Sequence, residues 1–416
     1  LLDSSISSIK YSIRNISKKS IEAITAMPIH RRRFLSQTFQ AISASAFSAK
    51  WLSASESQAG SKKSSGLIVR SRRPLDLETP VDQLDSEFTP NPWFFVRSHF
   101  GEPAVNTQGW SLTLDGLFQS VNKFKVAEIM SRFPRHERPA VLMCAGNGRG
   151  LMKPIVPGLP WEHGAVGQAM WSGVRLKDLI DAMGLKPDAR HLIFETADLT
   201  ASKMTPSFTR SLPLDRLLQD DVLLADRMNG EPLPLLHGGP LRLIVPTWTG
   251  NHWVKWVKRI TASVEESPSD FQRKSYKMPT LVLPPAVAPT PDQLKSVTIL
   301  NVKSQLTWPT ANAQISARDS LAIRGSAWTG PGLVTRVEVR TSVNSAWQPA
   351  RIVTQNPVQG AWVRWEFTIS EVKPGEHFIE VRATDSNAQT QPADPFWNRS
   401  GYLYNAIERI PFQVIG

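Results

Sequence analysis

The sequence predicts an α+β protein, a mixed α/β domain followed by an immunoglobulin-like β-sandwich. Three observations predict it. From Leu67 to about Glu265 short apolar runs alternate with helical spacing; a proline-dense stretch at 278–291 changes the regime; beyond it strand-like segments follow one another. These features divide the chain into a leader at 1–66, a first domain at 67–277, a linker at 278–291 and a second domain at 292–416. With 416 residues, 41% of them hydrophobic and 20% charged, the chain can bury more than one core.

The leader holds His30-Arg31-Arg32-Arg33-Phe34-Leu35-Ser36 followed by a modestly apolar, Ala/Ser-rich stretch to Ala54. Paired arginines directly before an apolar run and small residues predict a twin-arginine export signal at 27–54, with cleavage near Ala49 or Ala54 and a periplasmic destination. The apolar run is too short and too polar to span a bilayer. Met27 stands shortly before the arginines, which points to translation starting there.

In the first domain, Ala140 to Met143, Leu192 to Phe194 and Leu241 to Val245 read as strands. Arg175 to Met183 reads as a helix, because Val174, Leu176, Leu179, Ile180 and Met183 recur at three- and four-residue spacing and Gly184 supplies a stop. Pro206, Pro213, Pro232, Pro234, Pro240 and Pro246 break the rest into loops between short elements. The linker carries Pro279, Pro284, Pro285, Pro289 and Pro291. Beyond it Leu321 to Gly325, Thr335 to Thr341, Trp362 to Ile369 and Phe378 to Ala383 are strand-like. Val337 and Val339 alternate with charged neighbours, the pattern of a half-buried sheet.

The formal net charge of +12 invites a nucleic-acid reading, but ten Lys/Arg against three Asp/Glu before Ser64 place +7 of it in the leader. The remaining +5 suits an anionic substrate or an acidic redox partner. No stripe of clustered cations with interleaved aromatics marks nucleic-acid binding. A single cysteine excludes an internal disulfide framework and Cys-rich zinc or iron–sulfur sites, and no C-x-x-C-H binds haem covalently.

Four segments concentrate chemistry. They are Trp93 to His99, Leu142 to Gly150, Met228 to Ile260 and Asp270 to Tyr276. The second, Cys-Ala-Gly-Asn-Gly-Arg-Gly from Cys144, follows a strand and sets backbone N–H groups beside a guanidinium, a combination that binds anions. It is neither a Walker loop nor a dinucleotide fingerprint. Alone, Cys144 reads by default as a buried structural thiol, while Arg97 reads equally as a surface arginine, His99 as a core histidine and Tyr276 as a boundary aromatic.

Taken in order, the four segments resemble the sulfite oxidase family of molybdenum enzymes from about Pro90 to the end of the chain. The resemblance implies a molybdopterin cofactor, no haem in this chain, and a second domain that dimerises. It makes Cys144 the thiolate ligand to molybdenum. It places Phe95, Val96, Arg97, Ser98, His99, Asp198, His237, Arg242, Trp253, Val254 and Lys255 on the cofactor, and lines the substrate pocket with Arg97, Arg149, Trp161 and Tyr276. Two departures stand out. Gly148 replaces a loop arginine, and Ser400 stands where some members carry a pocket arginine, with Arg399 one place earlier.

The activity so implied is oxidation of sulfite to sulfate by oxygen-atom transfer, with electrons passed to an external cytochrome c. The partners implied are a second copy of the chain or a separate haem subunit. The alternatives are a sulfane or thiosulfonate dehydrogenase or a sulfoxide reductase using the same cofactor, and, from another class, a cofactor-free periplasmic binding protein. His252 is read as structural, and His136, His163, His191 and His377 show no metal-ligand spacing.

Overall fold

The computed structural model describes residues 66–416, apart from 105–108, 201, 203, 204, 206, 207, 317 and 343. The expected export signal at 27–54 lies outside the described residues.

In the first domain the strands are β1 (Ile68–Arg72), β2 (Leu75–Glu78), β3 (Ser111–Gly116), β4 (Asn122–Lys125), β5 (Arg135–Met143), β6 (Val166–Arg175), β7 (His191–Thr196), β8 (Thr209–Pro213), β9 (Leu223–Met228), β10 (Glu231–Pro232), β11 (Arg242–Ile244) and β12 (Val257–Ser263). The α-helices described there are short: α1 (Val126–Arg132), α2 (Leu176–Met183), α3 (Leu214–Leu217) and α4 (Asp270–Arg273). One sheet has the order β10-β9-β6-β5, with β11 on β9, and the other β4-β3-β12-β7-β8. The β12–β3 pair is parallel, so a long crossover joins them.

Local chemistry explains the strands that matter. β5 is half exposed through Arg135 and Glu137 and fully buried from Ala140 to Met143, so it enters the core as it approaches Cys144. Helix α2 buries Leu176, Leu179 and Ile180 and ends where Gly184, at φ 67°, returns its N–H to Ile180 O at 2.9 Å. Trp161, Trp171 and Trp253 lie in the apolar core of this domain.

Strands β13 (Lys277–Pro279) and β14 (Leu294–Ser296) pair with each other and so pin both ends of the proline-rich segment. The second domain continues through β15 (Lys303–Trp308), β16 (Ala313–Ser316), β17 (Arg318–Trp328), β18 (Val334–Arg340), β19 (Gln348–Pro349), β20 (Arg351–Ile352), β21 (Val363–Val372), β22 (Gly375–Asp385) and β23 (Arg409–Ile415). They form two sheets, β15-β17-β21-β20 and β16-β23-β22-β18-β19, facing each other across a core of Ile323, Val337, Val339, Trp365, Ile379 and Phe412. This is the sandwich the alternating pattern predicts, without a disulfide.

The two domains are bonded together around the strand and loop that carry Cys144. Val141 N–H donates to Gly360 O at 2.8 Å and Leu403 N–H to Ala145 O at 2.9 Å. An apolar cluster spans the junction, with Val141 and Met143 from the first domain and Trp328, Trp362 and Leu403 from the second. Asp85 accepts from Thr307 Oγ1 at 2.8 Å and from the guanidinium groups of Arg324 and Arg364. No helix among the described residues is long and apolar enough to cross a membrane.

Candidate active site

The end of β5 delivers Cys144 to a turn. Cys144 N–H donates to Ala165 O and Asn147 N–H to Cys144 O, both at 2.9 Å, while the buried Asn147 side chain accepts from Ala165 N–H at 3.0 Å. The thiol is partly exposed and faces a pocket with about 720 Å³ of empty space, its open mouth included. Phe95, Arg97, Ser98, His99, Asp198, His237, Arg242, Trp253, Lys255 and Tyr276 line the same pocket. Residues far apart in sequence therefore converge on one pocket.

Buried cations dominate the wall. The Arg242 guanidinium donates to His237 O at 2.6 Å and Trp253 O at 3.0 Å and lies over the Trp171 ring, and its Nε has no partner among the described residues. Burial alone pulls its pKa down to about 9. Lys255 donates to Ser98 Oγ at 2.7 Å and Leu236 O at 3.2 Å. Burial, with the positive charges of Arg242 and Arg97, holds its pKa well below the usual lysine range. Neither cation has a carboxylate ion-pair partner among the described residues, so an anionic group entering the pocket would relieve both.

Arg97 is fixed from behind. Asp76, a buried carboxylate on β2, accepts from its guanidinium at 3.3 Å and from Ser98 N–H at 3.1 Å. Burial raises the Asp76 pKa, partly offset by Arg97 and that N–H. Tyr276 takes a left-handed backbone, φ 54°, which a non-glycine residue adopts at some cost and which turns its ring toward the pocket. Its hydroxyl is 2.6 Å from His99 Nε2. Burial pushes the phenol pKa up, so it keeps its proton, and burial together with Arg97, Lys255 and Arg210 keeps His99 neutral. His99 stacks on Phe208 and Tyr276 on Tyr402, with ring centroids 4.4 and 5.6 Å apart.

Several expected residues stand elsewhere. Val96 and Val254 do not line the pocket. Val96 bonds its backbone to Leu77, and the Val254 carbonyl accepts from Leu243 N–H, so they position their neighbours. Trp161 is not a pocket wall either: it is fully buried in the core, where its carbonyl accepts Gly150 N–H at 2.8 Å. Arg149 also leaves the lining. Its side chain packs close against Gly146, Gly158 and Gly401, donates to Ser400 O at 2.8 Å and Leu159 O at 3.0 Å, and lies over the Tyr402 ring. The glycines leave room for that path, and Arg149 straps the cysteine loop to the second domain. Arg399 is exposed and donates to Pro285 O, so no further arginine reaches the pocket from that segment. Gly148 has φ 83°, and a Cβ there would lie 2.6 Å from the Tyr404 ring, which explains the missing loop arginine. His252, read as structural, bonds Val297 O at 3.0 Å through Nε2 and is buried.

Sequence reasoning missed Asp76 and Arg210. Asp76 sits in the alternating strand Leu75-Asp76-Leu77-Glu78, where an inward carboxylate was the available signal. Arg210 is buried on β8 with its guanidinium 5.5 Å from the Tyr276 ring centroid; no local pattern marked it.

A soft sulfur donor in one pocket with cations that lack a carboxylate partner and an orphaned guanidinium Nε suits a metal held by an anionic, hydrogen-bonding cofactor. The chain matches the model of the oxidoreductase molybdopterin binding domain over residues 99–271 and that of the Mo-co oxidoreductase dimerisation domain over 295–415. Fold and site thus define a molybdopterin-dependent oxidoreductase, which excludes the cofactor-free binding protein. The chain is 37% identical to sulfite oxidase of Gallus gallus over 361 residues, covering 83% of this chain and 77% of that protein. It is 34% identical to the mitochondrial sulfite oxidase of Drosophila melanogaster over 366 residues, covering 83% of this chain and 63% of that one. The structure superposes on the sulfane dehydrogenase SoxCD from Paracoccus pantotrophus with a TM-score of 0.71 at 31% identity, covering 85% and 88% of the two chains. The chain belongs to the sulfite oxidase family.

Proposed function

We propose that this chain oxidises sulfite: sulfite and water give sulfate, two protons and two electrons, the electrons leaving singly to a c-type cytochrome. The observation that carries the reading is the convergence of the Cys144 thiol, the Arg97 guanidinium and the Tyr276 phenol on one pocket. Bound there, molybdopterin supplies the oxygen-atom transfer and stores the electrons. Cys144 would hold the metal, while Arg242 and Lys255 would hold the cofactor's anionic groups. Arg97, anchored by Asp76, draws the dianion in and stabilises charge on its oxygens. With His99 in the tautomer that donates from Nε2, the Tyr276 oxygen accepts from the imidazole, and its own O–H is free to donate to substrate.

Steady-state oxidation of sulfite coupled to cytochrome c reduction tests this. Cys144→Ser should abolish turnover with pterin retained, and Tyr276→Phe should lower kcat/KM by roughly 10²- to 10³-fold. Turnover unaffected by either substitution refutes the site. A second reading, oxidation of a sulfane sulfur, is favoured by the outward turn of Arg399, which leaves the pocket with fewer cations, and by the likeness to a sulfane dehydrogenase. Activity with thiosulfonate and none with sulfite would select it.

We also propose export by the twin-arginine route to the periplasm, supported by the arginines at 31–33, and assembly as a homodimer or with a haem subunit. Cell fractionation and the mass of the purified complex decide both.

A further inference from the structure

A second cavity, with about 600 Å³ of empty space including its opening, lies between the proline-rich segment and residues 397–400. Its cations are Lys274, Lys277 and Arg399, its apolar wall includes Leu283, Val287 and Trp397, and no carboxylate lines it. Lys274 has Asp270 beside it at 3.0 Å, whereas Lys277 bonds a serine hydroxyl and Arg399 a backbone carbonyl, so the cleft keeps a net positive charge. Around it Val282, Leu281 and Val287 are 64%, 46% and 46% exposed. Ile155, 77% exposed, adjoins through Pro154, whose carbonyl accepts from Trp397 Nε1. Exposed aliphatics clustered among cations mark a surface meant to be covered.

The segment bearing these side chains is held in place. β13 and β14 clamp its ends, Thr280 N–H donates to Gln293 O at 2.8 Å, and Arg399 ties Pro285 from across the cleft. The cleft also adjoins the thiol pocket, with no lining residue in common. Lys277 follows Tyr276 directly, and Ser400, in the cleft wall, accepts from Arg149, whose guanidinium lies on Tyr402 against Tyr276.

We propose that this cleft is the docking site of an acidic electron-accepting protein whose carboxylates meet Lys277 and Arg399 and whose apolar side chains cover Val282 and Leu281. Charge complementarity selects the partner, since a basic carrier would be repelled. The inference rests on the oxidative reading, because an enzyme that oxidises its substrate must hand the electrons outward.

Binding of the full-length holoenzyme to an acidic and to a basic c-type cytochrome, measured by surface plasmon resonance at low ionic strength, tests it. The acidic cytochrome should bind at least about tenfold more tightly than the basic one, and Lys277→Glu/Arg399→Glu should weaken it by at least about tenfold, mostly through the association rate. Val282→Asp should weaken it as well. A change under twofold in the double variant, or equal binding of the basic cytochrome, overturns the proposal. Sulfite oxidation with ferricyanide, which needs no docking, should be the same in wild type and double variant. Its absence from the wild type would sink the oxidative reading, while the binding data still decide the docking site.

Discussion

Gly148 leaves room for Tyr404 of the second domain to pack on the cysteine loop, and replacing it by alanine perturbs both backbone and packing. A non-glycine residue at φ 83° carries roughly 1–2 kcal/mol of conformational cost. The added methyl would stand 2.6 Å from Tyr404 Cδ1 and 2.7 Å from its Cβ, and forcing that contact open costs about 1–3 kcal/mol more. Gly230 supplies the control, because its φ of 78° is nearly the same while nothing lies within 4 Å of a Cβ built there. Gly230→Ala should therefore lose only the backbone term, and Gly148→Ala about 2–5 kcal/mol in all. Urea unfolding of the full chain, followed by tryptophan fluorescence, measures both. Equal losses at the two glycines would refute the steric half of the reasoning, and a neutral Gly148→Ala would refute all of it.

Arg210→Met removes the cation behind the Tyr276 ring, and at about 0.5–2 kcal/mol for such a contact kcat/KM for sulfite should fall by roughly 2- to 30-fold, with Arg210→Lys retaining more; steady-state kinetics decide, and a wild-type value for Arg210→Met defeats the assignment. His99 and His252 are held neutral by burial, so their folded pKa values lie well below 6.5. The unfolded chain then binds protons that the folded chain refuses. Their contribution is present above about pH 6.5 and is lost as pH falls through it, by about 1.4 kcal/mol per pH unit for each. Urea titrations of His252→Asn between pH 7 and 5 should show the shallower dependence. Lys255, with its pKa depressed in the bare pocket, should take up a proton when the anionic cofactor binds, so cofactor affinity falls as pH rises. Calorimetric loading of cofactor-free protein in two buffers of different ionisation enthalpy reads that proton directly, and equal heats would contradict it.

What was legible in the sequence was periodic or local. Helix α2 and its stop at Gly184 follow from apolar spacing and one residue free to adopt positive φ. The alternation around Val337 and Val339 marks strand β18. The cysteine turn stood out because small residues crowd one cation behind a strand, and the run ending in Lys255 lies close to Arg242 in sequence. What was not legible depends on partners far along the chain. Arg149 and Trp161 occupy the loop region expected of pocket residues, yet their directions are set by Ser400 O, Leu159 O, Tyr402 and the core. Arg210 acquires its role only when β8 packs beside Tyr276, 66 positions later by their numbers. Asp76 is one acidic residue in a short strand until the fold sets Arg97 against it.

The bonds from Gly360 to Val141, from Leu403 to Ala145 and from Ser400 to Arg149 make the sandwich a load path to the sulfur-bearing turn rather than an appended module. A truncated chain ending after Ser263 would strip these main-chain and guanidinium groups of their partners and also remove Tyr276. Any motion or mutation that tilts the sandwich would therefore reach the backbone of Cys144 and, through it, the pocket.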